Sequence, residues 1–214
     1  MNKVLEIKDL SFGYDHNLIL NNLSLEVFVD EFVAIVGANG AGKSTLLNLI
    51  LHNLKTDQGS ILLFGDDRSH YQDIAYISQN SVLNYRNFPT TINEVVKIHL
   101  KYLKLNKDID YYLELVNLIP HKHKTLSELS GGQLQRVGVL LALLKDAKLI
   151  ILDEPTTGID KKFSIELFKM LKQLTTIGKS IIMVTHQLDD ALEYVDRVYE
   201  IEAGTCKLKD SINV

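Results

Sequence analysis

The stretch GANGAGKST, residues 37–45, combines three glycines with a lysine and two hydroxyl side chains. It matches the pattern G-x-x-x-x-G-K-[ST], in which glycines let successive backbone N–H groups turn toward one point and form an anion site at a helix N-terminus. Lys43 would then reach the β- and γ-phosphates of a nucleoside triphosphate, and the Ser44 hydroxyl would ligate Mg²⁺. An ordinary glycine turn is disfavoured, because a buried strand precedes the motif and a helical pattern follows it. The predicted phosphate-binding loop comprises Gly37, Ala38, Asn39, Gly40, Ala41, Gly42, Lys43, Ser44 and Thr45.

Two adjacent carboxylates end the apolar run LIILDE, residues 149–154. Asp153 would hold Mg²⁺ through a water molecule, because this ion keeps part of its hydration shell. Glu154 points in a different direction and could polarise the attacking water. The alternative is a solvated acidic pair in a loop, but charges so close to a buried strand favour a metal–phosphate site.

A histidine and a glutamine follow two further predicted strands. His186, in VTHQ, is expected at the same sheet edge as Gly37 and Glu154. We interpret it as a γ-phosphate contact, with a purely structural histidine as the alternative. Gln79, in YISQ, also follows a strand, and its position alone carries little information.

A second anion site is predicted at ELSGGQLQRV, residues 128–137. Ser130 is a good N-cap, and Gly131 and Gly132 leave the N–H groups of the first helical turn open to an anion. A well-capped helix without a ligand is the alternative. Since a triphosphate held by Lys43 has only its outer γ face free, a second site in the same chain points to a second copy of the protein.

The predicted elements give an α/β fold with a mixed sheet. EFVAIVG, AKLIILDEP and KSIIMVTHQ are short apolar runs, typical of strands buried on both faces. VLEIKDLSFGY and LSLEVFV alternate and are predicted to form an antiparallel flank. Helices are predicted at residues 42–54, 93–104, 110–118 and 132–144. We expect one domain, with a core of about residues 1–83 and 145–214 and a helical subdomain inserted at about 84–144.

Bulk composition narrows the class of protein. A chain of 214 residues can form one sizeable core or two lobes that share one. The formal net charge of −4 argues against a nucleic-acid binder. Cys206 is the only cysteine, so an internal disulfide is impossible. The apolar runs are too short for a membrane span or a secretory signal, so we expect a soluble protein, and any membrane role would have to come through a partner.

Taken together, these residues resemble the nucleotide-binding domain of ATP-binding cassette (ABC) transporters over essentially the whole chain. GANGAGKST is similar to the Walker A loop, YISQ to the Q-loop, LSGGQLQR to the signature sequence, LIILDE to Walker B, TTGID to the D-loop and VTH to the switch histidine. The resemblance implies a P-loop NTPase with a RecA-like mixed sheet core, an N-terminal antiparallel β flank and an inserted α-helical subdomain. ATP and Mg²⁺ are the implied cofactors.

The resemblance also implies a head-to-tail homodimer with ATP at the interface. Each ATP would lie between the Lys43 loop of one subunit and the signature residues of the other. Glu154 would be the general base, and Gln79 would be a magnesium ligand beside Ser44 and Asp153. The residues of the signature sequence that would contact the nucleotide are Ser130, Gly131, Gly132 and Gln133. His186, Gln79 and Asp160 would organise the attacking water, the phosphate and the opposite subunit.

Two positions modify this expectation. Tyr14, in SFGY, falls where the family places an aromatic that stacks on adenine, and an exposed strand tyrosine is the alternative. Leu141 stands where the family usually has an arginine, so a supporting contact in the helical subdomain is expected to be missing or rebuilt. We also expect that no regulatory domain follows the last strand.

The cargo is suggested by FPTTINEVV, residues 88–96, which resembles the subgroup that imports zinc or manganese. Importers of cobalt or vitamins and exporters of lipids or peptides are alternatives. The implied partners are a membrane permease and an extracytoplasmic substrate-binding protein, with the chain peripheral on the inner face of the cell membrane. His121 and His123 are expected in a solvated turn instead of a zinc site.

ABC-type ATPases also act in DNA repair, chromosome structure and translation. The chromosome class has a long coiled coil between Walker A and the signature, and the gap here is too short for one. Translation factors of this type carry two cassettes, whereas this chain carries one. The acidic net charge disfavours direct DNA binding, so nucleic acid is not an expected partner.

Overall fold

The computed structural model describes residues 2–15, 17–68, 70–78, 84–186 and 188–209. The strands are β1 (Lys3–Tyr14), β2 (Asn17–Phe28), β3 (Phe32–Gly37), β4 (Gln58–Leu63), β5 (Ile74–Ser78), β6 (Leu149–Asp153), β7 (Ser180–Thr185), β8 (Arg197–Glu202) and β9 (Thr205–Leu208). The α-helices are α1 (Lys43–Ile50), α2 (Ile92–Leu103), α3 (Ile109–Leu115), α4 (Gly131–Leu144) and α5 (Lys161–Thr175). Within these described ranges, no helix is long and apolar enough to cross a membrane.

A six-stranded sheet forms the centre of the molecule, in the order β5-β6-β7-β3-β8-β9. Strands β5, β6, β7, β3 and β8 run parallel, and β9 pairs antiparallel with β8. Parallel strands are covered on both faces, which explains why β3, β6 and β7 are continuous apolar runs. The prediction of three buried strands in a mixed sheet is confirmed.

A second, three-stranded antiparallel sheet has the order β2-β1-β4. Its strands β1 and β2 confirm the predicted N-terminal flank. The pairing of Leu10 with Leu23 and of Phe12 with Leu20 directs apolar side chains to one face. Strand β4 was missed because the first half of QGSILL is exposed and polar, which leaves too short an alternating pattern to detect.

Alternate residues of the central strands belong to two hydrophobic clusters, one on each face of the sheet. Val33 and Ile35 pack with α1 and the antiparallel sheet. Ala34 and Val36 pack instead with α2, α3, α4 and α5. Burying a valine or isoleucine side chain stabilises the fold by roughly 1.5–3 kcal/mol relative to leaving it exposed. The six-stranded sheet is therefore a wall common to both clusters.

Helices α2, α3 and α4 lie in the chain between β5 and β6. Helix α3 ends at Leu115, three residues before the predicted end, because Asn117 adopts a positive φ of 54° that a helix cannot contain. Residues of all three helices share one cluster with a face of the sheet. The boundaries of a separate subdomain at about residues 84 and 144 stay a prediction.

Helix α4 is buried on nearly every side and is anchored at both a polar and an apolar position. The buried Arg136 guanidinium lies 2.7 Å from Glu166 Oε2 on α5, an ion pair that joins these two helices. Leu141, where the resemblance leads one to expect an arginine, packs against the apolar cluster. At position 141 this chain therefore has an apolar packing contact in place of the expected arginine contact.

Candidate functional site

The phosphate-binding loop connects the end of β3 to the start of α1. Gly40 and Gly42 have φ values of 83° and 102°, a region that other residues rarely adopt. Gly42 is the residue just before α1, and a Cβ placed there would lie 2.8 Å from Leu20 Cδ2. The loop conformation therefore depends on Gly42, which the sequence motif specifies, and is favoured by Gly40, which the motif leaves variable.

The side chain of Lys43 is held over this loop by backbone carbonyl groups of the loop. The side chain is 8% exposed, and Nζ donates to the carbonyl oxygens of Gly37 at 2.7 Å and Ala38 at 3.1 Å. The same Nζ lies 4.0 Å from Glu154 Oε1. An ammonium has three donors, so the charge is pre-positioned beside the loop before any phosphate arrives. Ser44 is exposed and Thr45 is half-buried.

The two carboxylates at the end of β6 point in different directions because the backbone turns between them. Glu154 has a φ of 49°, and its N–H donates to the carbonyl oxygen of Val184 at 2.8 Å. Asp153 keeps the strand conformation, and its Oδ2 accepts a hydrogen bond of 3.0 Å from the Tyr76 hydroxyl. Burial raises the pKa of Asp153, as does neighbouring Glu154, while the Tyr76 bond and Lys43 act in the opposite direction.

His186 lies directly against Glu154. Its Nδ1 is 2.8 Å from Glu154 Oε2, and the Thr185 hydroxyl donates to the same oxygen at 3.4 Å. The structure therefore brings Lys43, Glu154 and His186 together at one edge of the sheet. The direct contact between His186 and Glu154 was not predicted, and the γ-phosphate contact of His186 stays a prediction.

Oxygen donors suited to Mg²⁺ occur beside this cluster. Asp153 offers the carboxylate oxygen that Tyr76 does not occupy, and Ser44 offers an exposed hydroxyl at the first turn of α1. Such oxygen ligands fit this ion, which binds through one or two carboxylates, substrate phosphates and waters. Gln79, the third predicted ligand, lies outside the described residues.

The signature turn is a fully formed helix cap. The Gln133 N–H donates to Ser130 Oγ at 3.3 Å, and the Ser130 N–H donates to Gln133 Oε1 at 3.0 Å. Gln133 Nε2 also lies 2.8 Å from His121 Nε2, so its side chain is engaged within the chain. The predicted contacts of Ser130, Gly131, Gly132 and Gln133 with a nucleotide remain predictions.

The two histidines near this turn differ from each other. His123 is exposed, as expected for a solvated turn. That expectation is wrong for His121, which is half-buried, contacts Gln133 and has no hydrogen-bond partner at Nδ1 within the described part of the chain. Burial lowers the pKa of His121, so the neutral ring is favoured.

Asp160 and Tyr14, the remaining predicted nucleotide-site residues, are both exposed. Asp160 is an exposed N-cap of α5, whose Oδ1 accepts from the Phe163 N–H at 3.2 Å. Tyr14 is 45% exposed and packs edge-on against Phe12, with ring centroids 5.0 Å apart. Its hairpin also carries Leu20, which borders Gly42, so Tyr14 belongs to the element beside the phosphate loop.

Sequence reasoning missed Tyr76 as a part of the site. Tyr76 pairs with Ile151, and Ser78 pairs with Asp153, so the pleat places Tyr76 and Asp153 on the same face of adjacent strands. Predicting this contact requires the register of β5 against β6. The sequence of either strand alone does not give that register.

Comparisons with known proteins agree with one another. A family model described as ABC transporter matches residues 20–157. The zinc uptake system ATP-binding protein ZurA of Listeria monocytogenes is 39% identical over 214 residues, covering 94% of this chain and 83% of that protein. The zinc import ATP-binding protein ZnuC of Buchnera aphidicola is 35% identical over 207 residues, covering 96% and 84%. The solved structure of cbiO1 from Clostridium perfringens, part of the ABC transporter complex cbiONQ, gives a TM-score of 0.86 at 25% identity, covering 97% of this chain and 88% of cbiO1.

The loop geometry predicts different costs for two equivalent substitutions. Gly42→Ala places a methyl group against the fully buried Leu20 at a φ of 102°, and we expect it to destabilise the protein by about 1–3 kcal/mol and to weaken triphosphate binding. Gly40→Ala meets no atom within 4 Å and is the matched control, with only backbone strain to oppose it. Thermal unfolding with and without nucleotide measures both effects. Equal losses in the two variants would contradict the proposed role of Leu20.

Proposed function

Because the chain belongs to the ABC transporter family and is an ATP-hydrolysing subunit of it, we propose that it powers import of Zn²⁺ through a separate membrane permease. The chemistry is carried by one observation, the assembly of Lys43, Glu154 and His186 at the edge of the sheet. The cargo is supported by the likeness, over nearly the whole chain, to ATP-binding proteins of zinc uptake systems. Manganese is the second candidate, from the FPTTINEVV stretch.

In the proposed reaction, water attacks the γ-phosphorus and the bond to the β-phosphate oxygen breaks, giving ADP and phosphate. Glu154 takes the proton from that water, since its carboxylate is held between Lys43 and His186. Lys43 binds the phosphates from the loop, and its charge stabilises the ground-state complex and the transition state. His186 orients Glu154 and contacts the γ-phosphate.

Asp153 and Ser44 would hold Mg²⁺ in this site, together with Gln79 from outside the described residues. When bound, Mg²⁺ would offset the negative charge of the phosphates. Tyr14, exposed on the hairpin beside the loop, is proposed to stack on the adenine ring.

A second copy of the chain is proposed to complete each site. Gly132 packs near Phe163 and Ile159, so the signature turn and the segment around Asp160 form one continuous surface. Helix α4 begins at this surface, and its first-turn N–H groups suit the outer face of a triphosphate held by the other copy. In this head-to-tail arrangement ATP closes the dimer, and loss of the γ-phosphate releases it.

The permease is proposed to contact the segment that leads into α2. Phe88 is 56% exposed, and on α2 the exposed Ile98 and Tyr102 lie one turn apart on the same face. Exposed apolar side chains of this kind mark contact surfaces when they group on one element. This contact would place the protein on the inner face of the membrane, with an extracytoplasmic zinc-binding protein delivering the ion to the permease.

Glu154→Gln tests the assignment of the general base. We expect ATP turnover to fall about 10²–10⁴-fold, because the amide cannot accept the proton, while ATP binding persists. The bound ATP should then hold the dimer together on gel filtration. Glu114→Gln, at an exposed carboxylate on α3, is the matched control. A Glu154→Gln variant that stays monomeric at saturating ATP and Mg²⁺ would contradict the proposed dimer.

Gly131→Asp tests whether each site is shared between two copies. An added Cβ meets only ordinary contacts there, and a carboxylate in the first turn of α4 favours the helix, so the variant should fold. It should nevertheless repel the triphosphate of the other copy and lose turnover, while the uncharged Gly131→Asn retains more. Lys43→Ala should also be inactive, because it loses nucleotide binding.

Mixing these two inactive proteins provides the decisive measurement. A heterodimer of Gly131→Asp with Lys43→Ala contains one pocket with both halves intact, so the mixture should regain up to roughly a quarter of the wild-type rate. A mixture as inactive as its components would count against the shared site.

Deletion of the gene tests the cargo. We expect uptake of radioactive Zn²⁺ to fall to background and growth to fail in the presence of a zinc chelator, since this subunit supplies the energy for transport. Wild-type protein should restore both, and Glu154→Gln should restore neither. Loss of Mn²⁺ uptake with intact Zn²⁺ uptake would instead favour manganese as the cargo.

A further inference from the structure

We propose that Tyr76 is a positioning residue for Asp153, orienting this carboxylate for Mg²⁺ from the wall of a neighbouring cavity. The inference rests on the proposed role of Asp153 and adds to it Tyr76, the first residue of the YISQ stretch, in which only Gln79 was assigned a role. The Tyr76 hydroxyl donates to Asp153 Oδ2 at 3.0 Å. This bond leaves the other carboxylate oxygen to the hydrated ion.

The bond is built into the central sheet. Parallel pairing of β5 with β6 fixes Tyr76 beside Ile151, so its ring extends along the face that Asp153 shares. Strand β5 is itself anchored near its start, because Lys145 Nζ donates to the carbonyl oxygens of Ile74, at 2.7 Å, and of Tyr71. Both ends of the hydrogen bond are therefore attached to rigid elements.

Tyr76 also faces a cavity of about 290 Å³. The cavity lies between the end of α1 and the start of β5, and its lining includes Leu51, His52, Tyr71 and Lys145. Tyr76 is 41% exposed and lines this cavity, while its hydroxyl donates to Asp153.

The chemistry of the donor suits this task. A tyrosine hydroxyl gives Asp153 a directed hydrogen bond without neutralising its charge, which the ion requires. A lysine or arginine at this distance would compete with Mg²⁺ for the carboxylate. The opposite possibility is that Tyr76 itself competes with the ion, and the experiment below separates the two.

Tyr76→Phe removes the hydroxyl and keeps the ring. ATP binding is measured by calorimetry in the Glu154→Gln background, where turnover does not interfere, as a function of Mg²⁺ concentration and also in EDTA. We expect the half-saturating Mg²⁺ concentration to rise about 3- to 10-fold, the net contribution of one typical hydrogen bond at a partly exposed site. ATP affinity in EDTA should not change, which also shows that the variant is folded.

Tyr71→Phe, on the wall of the same cavity, is the matched control and should behave as the parent protein. A Mg²⁺ requirement for Tyr76→Phe that equals the control, or falls below it, overturns the inference. Asp153→Asn separates this result from a failure of the proposed function. If that variant retains the parent's Mg²⁺ dependence, Asp153 is not a ligand and the magnesium assignment itself is wrong.

Discussion

The ammonium of Lys43 faces two loop carbonyls and, at 4.0 Å, the carboxylate of Glu154, and the other parts of the site are arranged around this charge. A positive charge this deeply buried is tolerated only with polar partners around it. The carboxyl ends of β3 and β6 supply those partners, and the end of β7 supplies the His186 that contacts Glu154, because parallel strands end at the same edge of a sheet. The triphosphate enters a place whose electrostatics are already set, so little rearrangement is needed for binding.

Much of this site could be predicted from local sequence. A phosphate loop between a strand and a helix is encoded in consecutive residues, and so are the apolar runs that end at Asp153 and Thr185. Contacts that depend on tertiary register could not be predicted in this way. The bond from Tyr76 to Asp153 requires the alignment of β5 with β6, and the pairing of Gln133 with His121 joins residues from separate turns. Strand β4 escaped notice because half of it is exposed and polar.

The chemistry and the cargo of this protein rest on different kinds of support. In the proposed reaction Lys43, Glu154 and His186 would act on a triphosphate whatever the transported ion, so the geometry at the sheet edge carries no information about zinc. The cargo is argued from the likeness to zinc uptake ATP-binding proteins. This division is expected if the ion crosses through the proposed permease, because the same ATP site could then serve transporters of different ions.

The common wall between the two hydrophobic clusters has a consequence for how the molecule opens. Val33 and Ile35 pack in one cluster, and Ala34 and Val36 pack in the other. Unfolding of either cluster would therefore expose one face of the same central strands to solvent. Strands β3, β6 and β7 should then exchange their amide hydrogens last and together, at the free energy of global unfolding. Edge elements such as β9 would exchange earlier, through small local fluctuations.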